Sequence, residues 1–423
     1  MRSKLCYFFF LFLLSLHARA QNTMVECNEV LIKTIMEDLF SPPVASRIHL
    51  NANAAAYEVY AKRNKDIKSF SKFSHMPAIE APIQKIDYDI AATVAFVKTG
   101  ISYIYTEDFL NAFISERQTR WGKRQDQELV KNSIAYGEKV ATHVIEWSKG
   151  DNYGYTRTLQ RYVLSDSAGA WQQTPPEYKN GLEPNWYMIR QVVLPKDSFI
   201  AFRQHDYYSE DKKSRCYLLM DSVYQKWKTL TDKEKEIALY WDDNPATTHS
   251  KGHTMYVEKK PSPLGHWLKL TGQILQKKKM TNEQSSIIYT RVCVAAYDAF
   301  INCWNVKYKL NTIRPETYIH RLIDPDFKPL IETPPFPEYT SGHSTVSGAV
   351  ATVLDLCIPK VGKFTDNSQK MLGMKPRSFL NFRQAAKEAS ISRFYGGIHI
   401  HTALREGERM GKIIGEQTWK AMK

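Results

Sequence analysis

Apolar residues recur three and four positions apart over long stretches of this chain, with polar residues between them. That spacing marks helices that bury one face. It predicts helices over residues 30–39, 43–63, 88–113 and 125–148, then 216–229, 232–241 (capped by Thr231 or Asp232) and 264–277. A longer one follows at 282–308, with Thr281 at its N-cap. Ile287, Ile288, Val292, Val294, Ala295, Ala296, Ala299, Phe300 and Ile301 make it apolar on most faces, as expected of a central buried element. Helices over 341–357 and 399–422 complete the set. Strict apolar–polar alternation is scarce, and residues 188–194 are one short strand candidate. The expected architecture is all-α, a helical bundle.

The periodicity lapses over residues 150–184. Pro175-Pro176, Gly181 and Pro184 break regular structure there, but Tyr153, Tyr155, Trp171 and Tyr178, with Trp186 just beyond, are too many aromatics for a loose linker. An ordered excursion packed on the bundle is expected. It divides the chain into an N-terminal helical region, 21–185, and a C-terminal bundle, 186–423. Ahead of both, Arg2 and Lys4 precede an apolar run at 5–16 and the small-residue site Ala18-Arg19-Ala20. This is the pattern of an export signal, residues 1–20, with the mature chain starting near Gln21 in the periplasm or outside the cell. The run is too short to cross a bilayer, and Lys or Arg interrupts every later apolar stretch, so no membrane span is expected.

With 43% apolar residues in 423, the chain can bury a sizeable core. Its net charge of +14 falls to about +11 once Arg2, Lys4 and Arg19 are removed. Such a surface favours anionic substrates. No nucleic-acid motif accompanies it, and Lys277-Lys278-Lys279 and the basic stretches at 212–215 and 233–235 read as solvated helix ends. No nucleic-acid or protein partner is predicted. Five cysteines follow the leader: Cys27, Cys216, Cys293, Cys303 and Cys357. An odd, sparse set without C-x-x-C is not a disulfide framework, though one bridge stays open. His249, His253 and His266 suggest a metal site at first sight. Ser250-Lys251-Gly252 between the first two, and Pro261 and Pro263 beyond, predict a loop there instead.

The concentrated chemistry lies in the last third. Lys307-x6-Arg314-Pro315 ends the central helix. Ser341-Gly342-His343 opens the next, after Phe336-Pro337-Glu338-Tyr339-Thr340. Ser392-Arg393-x5-His399 leads to the last, with Gly396-Gly397 inside it and His399 expected in the first helical turn. Each segment has a plain local explanation. Two cations suit a helix C-terminus, Thr340 or Ser341 suits an N-cap, and an imidazole can sit satisfied in a core. Together they give three cations, a hydroxyl, an amide at a helix N-terminus and two histidines. Three buried cations need a shared counter-charge, and an oxyanion supplies it. Within the last helix Ala403, Gly407, Gly411 and Gly415 form a groove for close helix packing.

These blocks resemble the signature shared by type-2 phosphatidic acid phosphatases, bacterial acid phosphatases and vanadium-dependent haloperoxidases: K-x6-RP, PSGH and S-R-x5-H-x3-D. Thr340 stands where that pattern has proline. Ala403 stands where it has aspartate, which removes a carboxylate able to orient His399. Trp304 and Phe336 look like the aromatics on the halide side of haloperoxidase pockets, with Asn305 at the pocket edge. The long helical N-terminal region, Ser41-Pro42-Pro43-Val44-Ala45-Ser46-Arg47 and residues 171–176 are similar to the secreted bacterial haloperoxidases.

The resemblance implies a vanadate cofactor, in a site that phosphate can also occupy. His399 is then the metal ligand, and Lys307, Arg314, Arg393, Ser341 and the Gly342 amide hold the vanadate oxygens. His343 acts as acid–base and Lys307 polarises peroxide. A carboxylate from Asp242 or Asp243 is expected to hold Arg393 or His343. Substrates would be hydrogen peroxide and iodide or bromide. The alternative is a secreted phosphatase in which His399 attacks phosphorus and His343 protonates the leaving alcohol.

Overall fold

The computed structural model describes residues 22–195, 198–203, 206–245, 247–251 and 253–423. The proposed export signal lies outside them. The described residues form a largely helical molecule: α1 (Thr23–Glu37), α2 (Pro42–Arg63), α3 (Tyr88–Ile101), α4 (Asp108–Trp121), α5 (Gln127–Lys149) and the single turn α6 (Tyr153–Thr156), then α7 (Arg215–Lys228) and α8 (Asp232–Tyr240). A hairpin, β1 (Thr247–Lys251) and β2 (Thr254–Glu258), leads to α9 (Pro263–Lys277), α10 (Asn282–Leu310), α11 (Pro315–Leu322) and α12 (Gly342–Cys357). A second small pair, β3 (Phe364–Asp366) and β4 (Arg377–Phe379), precedes α13 (Phe382–Tyr395) and α14 (His401–Met422).

Capping sets several of these boundaries. Asn22 accepts the Val25 N–H and starts α1 seven residues before the expected point. The helix expected over 88–113 is two. α3 stops at Ile101, and the Asp38 carboxylate takes the N–H groups of Tyr105 and Thr106 in the break. Thr281 and Gln284 form a reciprocal capping box at the head of α10. Asn311, in the left-handed region, ends it.

The strand candidate at 188–194 is not a strand. A 3-10 turn at Trp186–Met188 runs into irregular chain whose Val192 and Val193 amides donate to the buried Asp298 carboxylate of α10 at 2.8 and 3.0 Å. Burial pushes Asp298 up to about 6, while these amides oppose the shift. The histidine loop is also corrected. Thr247, Thr248, Thr254, Tyr256 and Val257 favour a strand, and His249 pairs with Tyr256 across the hairpin. Pro263 opens α9 behind its Ser262 cap.

α10 is the axis. Apart from its ends it is almost wholly buried, with α2 and α12 against it, and one hydrophobic core runs from Met24 to Met422 across it. Residues 150–184 are ordered on its end: Trp171 is fully buried and its backbone N–H donates to Asn311 O. α14 lies along α12 at very close range. A Cβ on Gly407 would meet Ser341 O at 2.8 Å, and one on Gly415 would meet Ala349 O at 2.6 Å. The small-residue groove thus brings the head of α12 beside the connection that carries His399. All five described cysteines are free thiols.

Candidate active site

Four helix ends and two loops meet at one buried point. Lys307 is in the last turn of α10, Arg314 caps α11, Ser341 caps α12 and Arg393 is in the last turn of α13. Pro315 fixes the extended backbone of Arg314, at φ −82° and ψ 151°. His399 lies in the connection between α13 and α14, two residues before the last helix rather than inside it. Gly396 and Gly397 make that connection possible. Gly397 has φ +80°, and side chains at either position would run into Ile331 or Pro329. They serve the turn, not a ligand.

The cations have few partners. Arg314 donates through Nε to Phe336 O (2.8 Å) and through Nη1 to Ile398 O (3.0 Å) and His399 Nε2 (3.2 Å). Its Nη2 is buried with no partner among the described residues, as are Nε and Nη2 of Arg393. Lys307 Nζ donates to Pro337 O (2.7 Å) and Glu338 O (3.0 Å), leaving a third proton. The Ser341 hydroxyl accepts the Ser344 N–H at 3.3 Å and keeps its own proton to donate. Among the described residues the Gly342 and His343 amides have no hydrogen-bond partner at the head of α12. A Cβ on Gly342 would meet only Trp304, at 3.7 Å, so protein packing does not demand glycine there. Buried donors without acceptors cost about 1–3 kcal/mol each. Here they converge with a helix N-terminus, which favours an anion.

The protonation states agree. Burial first, and Arg314 after it, lower Lys307 to about 7. Burial lowers Arg314 to about 10. His343 falls to about 4 through burial and the adjacent Arg393, whose Nη1 is 3.3 Å from its Nε2. Burial, then Arg314, Lys307 and Arg393, holds His399 far below the usual imidazole range. Both histidines are therefore neutral beside three cations. An oxyanion would offset the part of these shifts that comes from the neighbouring cations.

Of the two aspartates expected nearby, Asp243 is at the site, its Oδ2 3.7 Å from His343 Nε2. Asp242 turns away to Lys260 at 2.9 Å and reaches Arg393 only through its field. Asp243 is held from behind by a buried chain. His266 Nδ1 is 2.8 Å from Asp243 Oδ1, His266 Nε2 is 2.8 Å from Asp366 Oδ2, and Gln369 Nε2 donates to Asp243 Oδ1 at 2.8 Å. Burial pushes His266 down, but the two carboxylates outweigh it and raise it to about 10. Burial likewise pushes Asp243 up, and His266 and His343 outweigh it and leave it at about 2. His266 is thus the ion-pair partner of two carboxylates. Among the described residues no group of three or more His, Cys, Asp or Glu is arranged to hold a metal.

A cavity opens from His343, His399, Arg393 and Gly342. Trp304, Phe336, Phe300, Leu182, Pro334 and Pro335 wall it, and Leu39, Ser41 and Pro42 from the N-terminal helices stand at its margin. Trp304 and Phe336 meet with ring centroids 5.0 Å apart, and Lys307 Nζ lies 4.8 Å over the Phe336 ring. Asn305 is not part of it. One residue further is about 100° round a helix, and Asn305 faces a separate groove with Tyr162, Pro184 and Tyr308.

Sequence reading missed three residues here. Asp366 and Gln369 come from a surface-like stretch with no motif. Glu338 is fully buried, and its Oε1 lies 2.6 Å from His399 Nδ1. Its position three residues before Ser341 was the available signal.

Fold and site together define a helical protein in which buried cations, a helix head and a neutral imidazole come together. Residues 322–423 match the family model described as the VCPO second helical-bundle domain. A bacterial vanadium-dependent iodoperoxidase superimposes with a TM-score of 0.89 at 36% identity, over 95% of this chain and 96% of that one. A bacterial vanadium-dependent chloroperoxidase matches in fold at TM-scores of 0.71 in its holo form (12% identity, 95% and 97% of the two chains) and 0.67 in its apo form (13%, 91% and 95%). No curated protein matches. The chain belongs to the vanadium-dependent haloperoxidases.

Proposed function

We propose that this haloperoxidase uses hydrogen peroxide to oxidise iodide or bromide, with vanadate held where the three sequence blocks meet. The observation that carries the reading is the convergence of unpartnered donors. Arg314 Nη2 and Arg393 Nε and Nη2 are buried without partners among the described residues, Arg314 Nη1 faces His399 Nε2 at 3.2 Å, and Gly342, Arg393 and His399 line one cavity. That donor set fits vanadate: an imidazole nitrogen for the metal, and cations, an amide and the Ser341 hydroxyl for its oxygens. When bound, vanadate supplies a Lewis-acidic centre that activates hydrogen peroxide towards the halide.

The remaining work falls to this chain's side chains. Neutral His343 is in the form that takes a proton from incoming peroxide. A bound anion offsets the field of Arg393, raises the basicity of His343 and so favours that transfer. Lys307, which has a free N–H, polarises the peroxide oxygen. Trp304 and Phe336 form an apolar wall that strips water from the halide, which costs a large, weakly hydrated ion least. Iodide and bromide are therefore preferred over chloride. The leader at residues 1–20 exports the chain; a mature N-terminus near Gln21 in the secreted protein would support this.

The test is a pair of assays on the mature protein reconstituted with orthovanadate: peroxide-dependent iodination and bromination beside hydrolysis of a chromogenic phosphate monoester. Halogenation that needs vanadate is expected. Vanadate-independent phosphatase turnover without halogenation would instead establish the phosphatase reading.

A further inference from the structure

His399 can hold a metal or an oxyanion centre only through a nitrogen that carries no proton. Arg314 Nη1 faces Nε2 at 3.2 Å, and a guanidinium can only donate. Nε2 therefore bears the lone pair and Nδ1 bears the hydrogen. The acceptor of that hydrogen is Glu338 Oε1, 2.6 Å away. The same oxygen accepts the Ile400 N–H at 3.1 Å, which fixes the carboxylate to the backbone of the connection itself.

We propose that Glu338 is the positioning residue of His399, accepting its Nδ1–H so that the Nε2 lone pair faces Arg314 and the head of α12. It performs from the loop before α12 the task for which position 403, alanine here, lacks a carboxylate. Ala403 is fully buried and contributes its carbonyl to the Ser341 N–H at 3.2 Å, so that position now serves packing. Glu338 also borders a second cavity, with Asp206, Asn311, Thr312 and Tyr339.

This inference rests on His399 being the vanadate ligand, and its test separates the two. The imidazole 15N resonances of His399, assigned by loss in His399→Ala, report the tautomer in vanadate-free protein. Orthovanadate titration by calorimetry reports affinity. Wild type should show a protonated Nδ1 and a bare Nε2. Glu338→Leu should lose that preference and bind vanadate about 10–100-fold more weakly, the usual cost of removing a histidine's carboxylate partner at a metal. Glu338→Gln keeps an acceptor without the charge, so it should retain the tautomer with a smaller loss of affinity. A folded Glu338→Leu with wild-type tautomer and affinity would overturn the proposal. If that variant does not fold, unchanged vanadate affinity in Glu338→Gln would overturn it. A tautomer shift in a protein that never binds vanadate would support the positioning and reject the vanadate reading.

Discussion

Of Lys307 and Arg314, Lys307 is the one whose charge is more open to change. Burial lowers its pKa to about 7, and a bound oxyanion would keep the proton on. Its contribution to anion affinity is therefore whole below pH 7 and declines as pH rises through that value. Lys307→Met should lower vanadate affinity about 10–100-fold in the acid range, from about 1.5–3 kcal/mol for a charged hydrogen bond. The gap from wild type should narrow above pH 7; calorimetric titration across pH reads both. His266 carries the opposite kind of shift. Its folded pKa is raised to about 10, so its stabilisation is complete below its unfolded value and fades as pH climbs towards 10. His266→Gln leaves Asp243 and Asp366 buried without their cation and should cost about 3–5 kcal/mol near pH 6. Denaturant unfolding at pH 6 and at pH 10 should show a large deficit and then a smaller one. The motif residues were readable because each brings costly chemistry to a fixed spacing. Glu338, Asp366 and Gln369 were not, since a lone carboxylate or amide becomes informative only once folding places it beside an imidazole.

Among the elements, α12 and α14 set the precision of the site. The glycines on α14 were legible as a groove, and the structure supplies the partner and the consequence. A Cβ on Gly411 would collide with Thr345 O and come within 2.8 Å of Ala349 N. Gly411→Ala should therefore push α14 outwards, cost about 1–3 kcal/mol and weaken vanadate binding by moving the His399 connection away from Ser341 and Gly342. Gly154→Ala, where nothing lies within 4 Å, should leave both stability and vanadate affinity near wild type. Thermal unfolding with vanadate titration distinguishes the pair. Long amphipathic helices could be read from the chain because burial of one face repeats over many residues. Their breaks could not, because Asp38 and Asp298 stabilise irregular backbone from a distance in sequence. The hairpin escaped because its strands are short and histidine and lysine interrupt them.

At the scale of the whole molecule, the N-terminal helices are part of the enzyme's working surface. α1 and α2 share the core with α10, and Leu39, Ser41 and Pro42 reach the cavity margin. The fold thus surrounds a cationic cage with an apolar approach from both halves of the chain. In the proposed reading Lys307, Arg314, Ser341, Gly342, Arg393 and His399 form one oxyanion site. The most direct measurement is the stoichiometry and affinity of orthovanadate binding to wild type, His399→Ala and His249→Ala. One vanadate per chain in wild type and His249→Ala, with binding lost in His399→Ala, is the expected result. Binding that survives in His399→Ala but disappears in His249→Ala would contradict it.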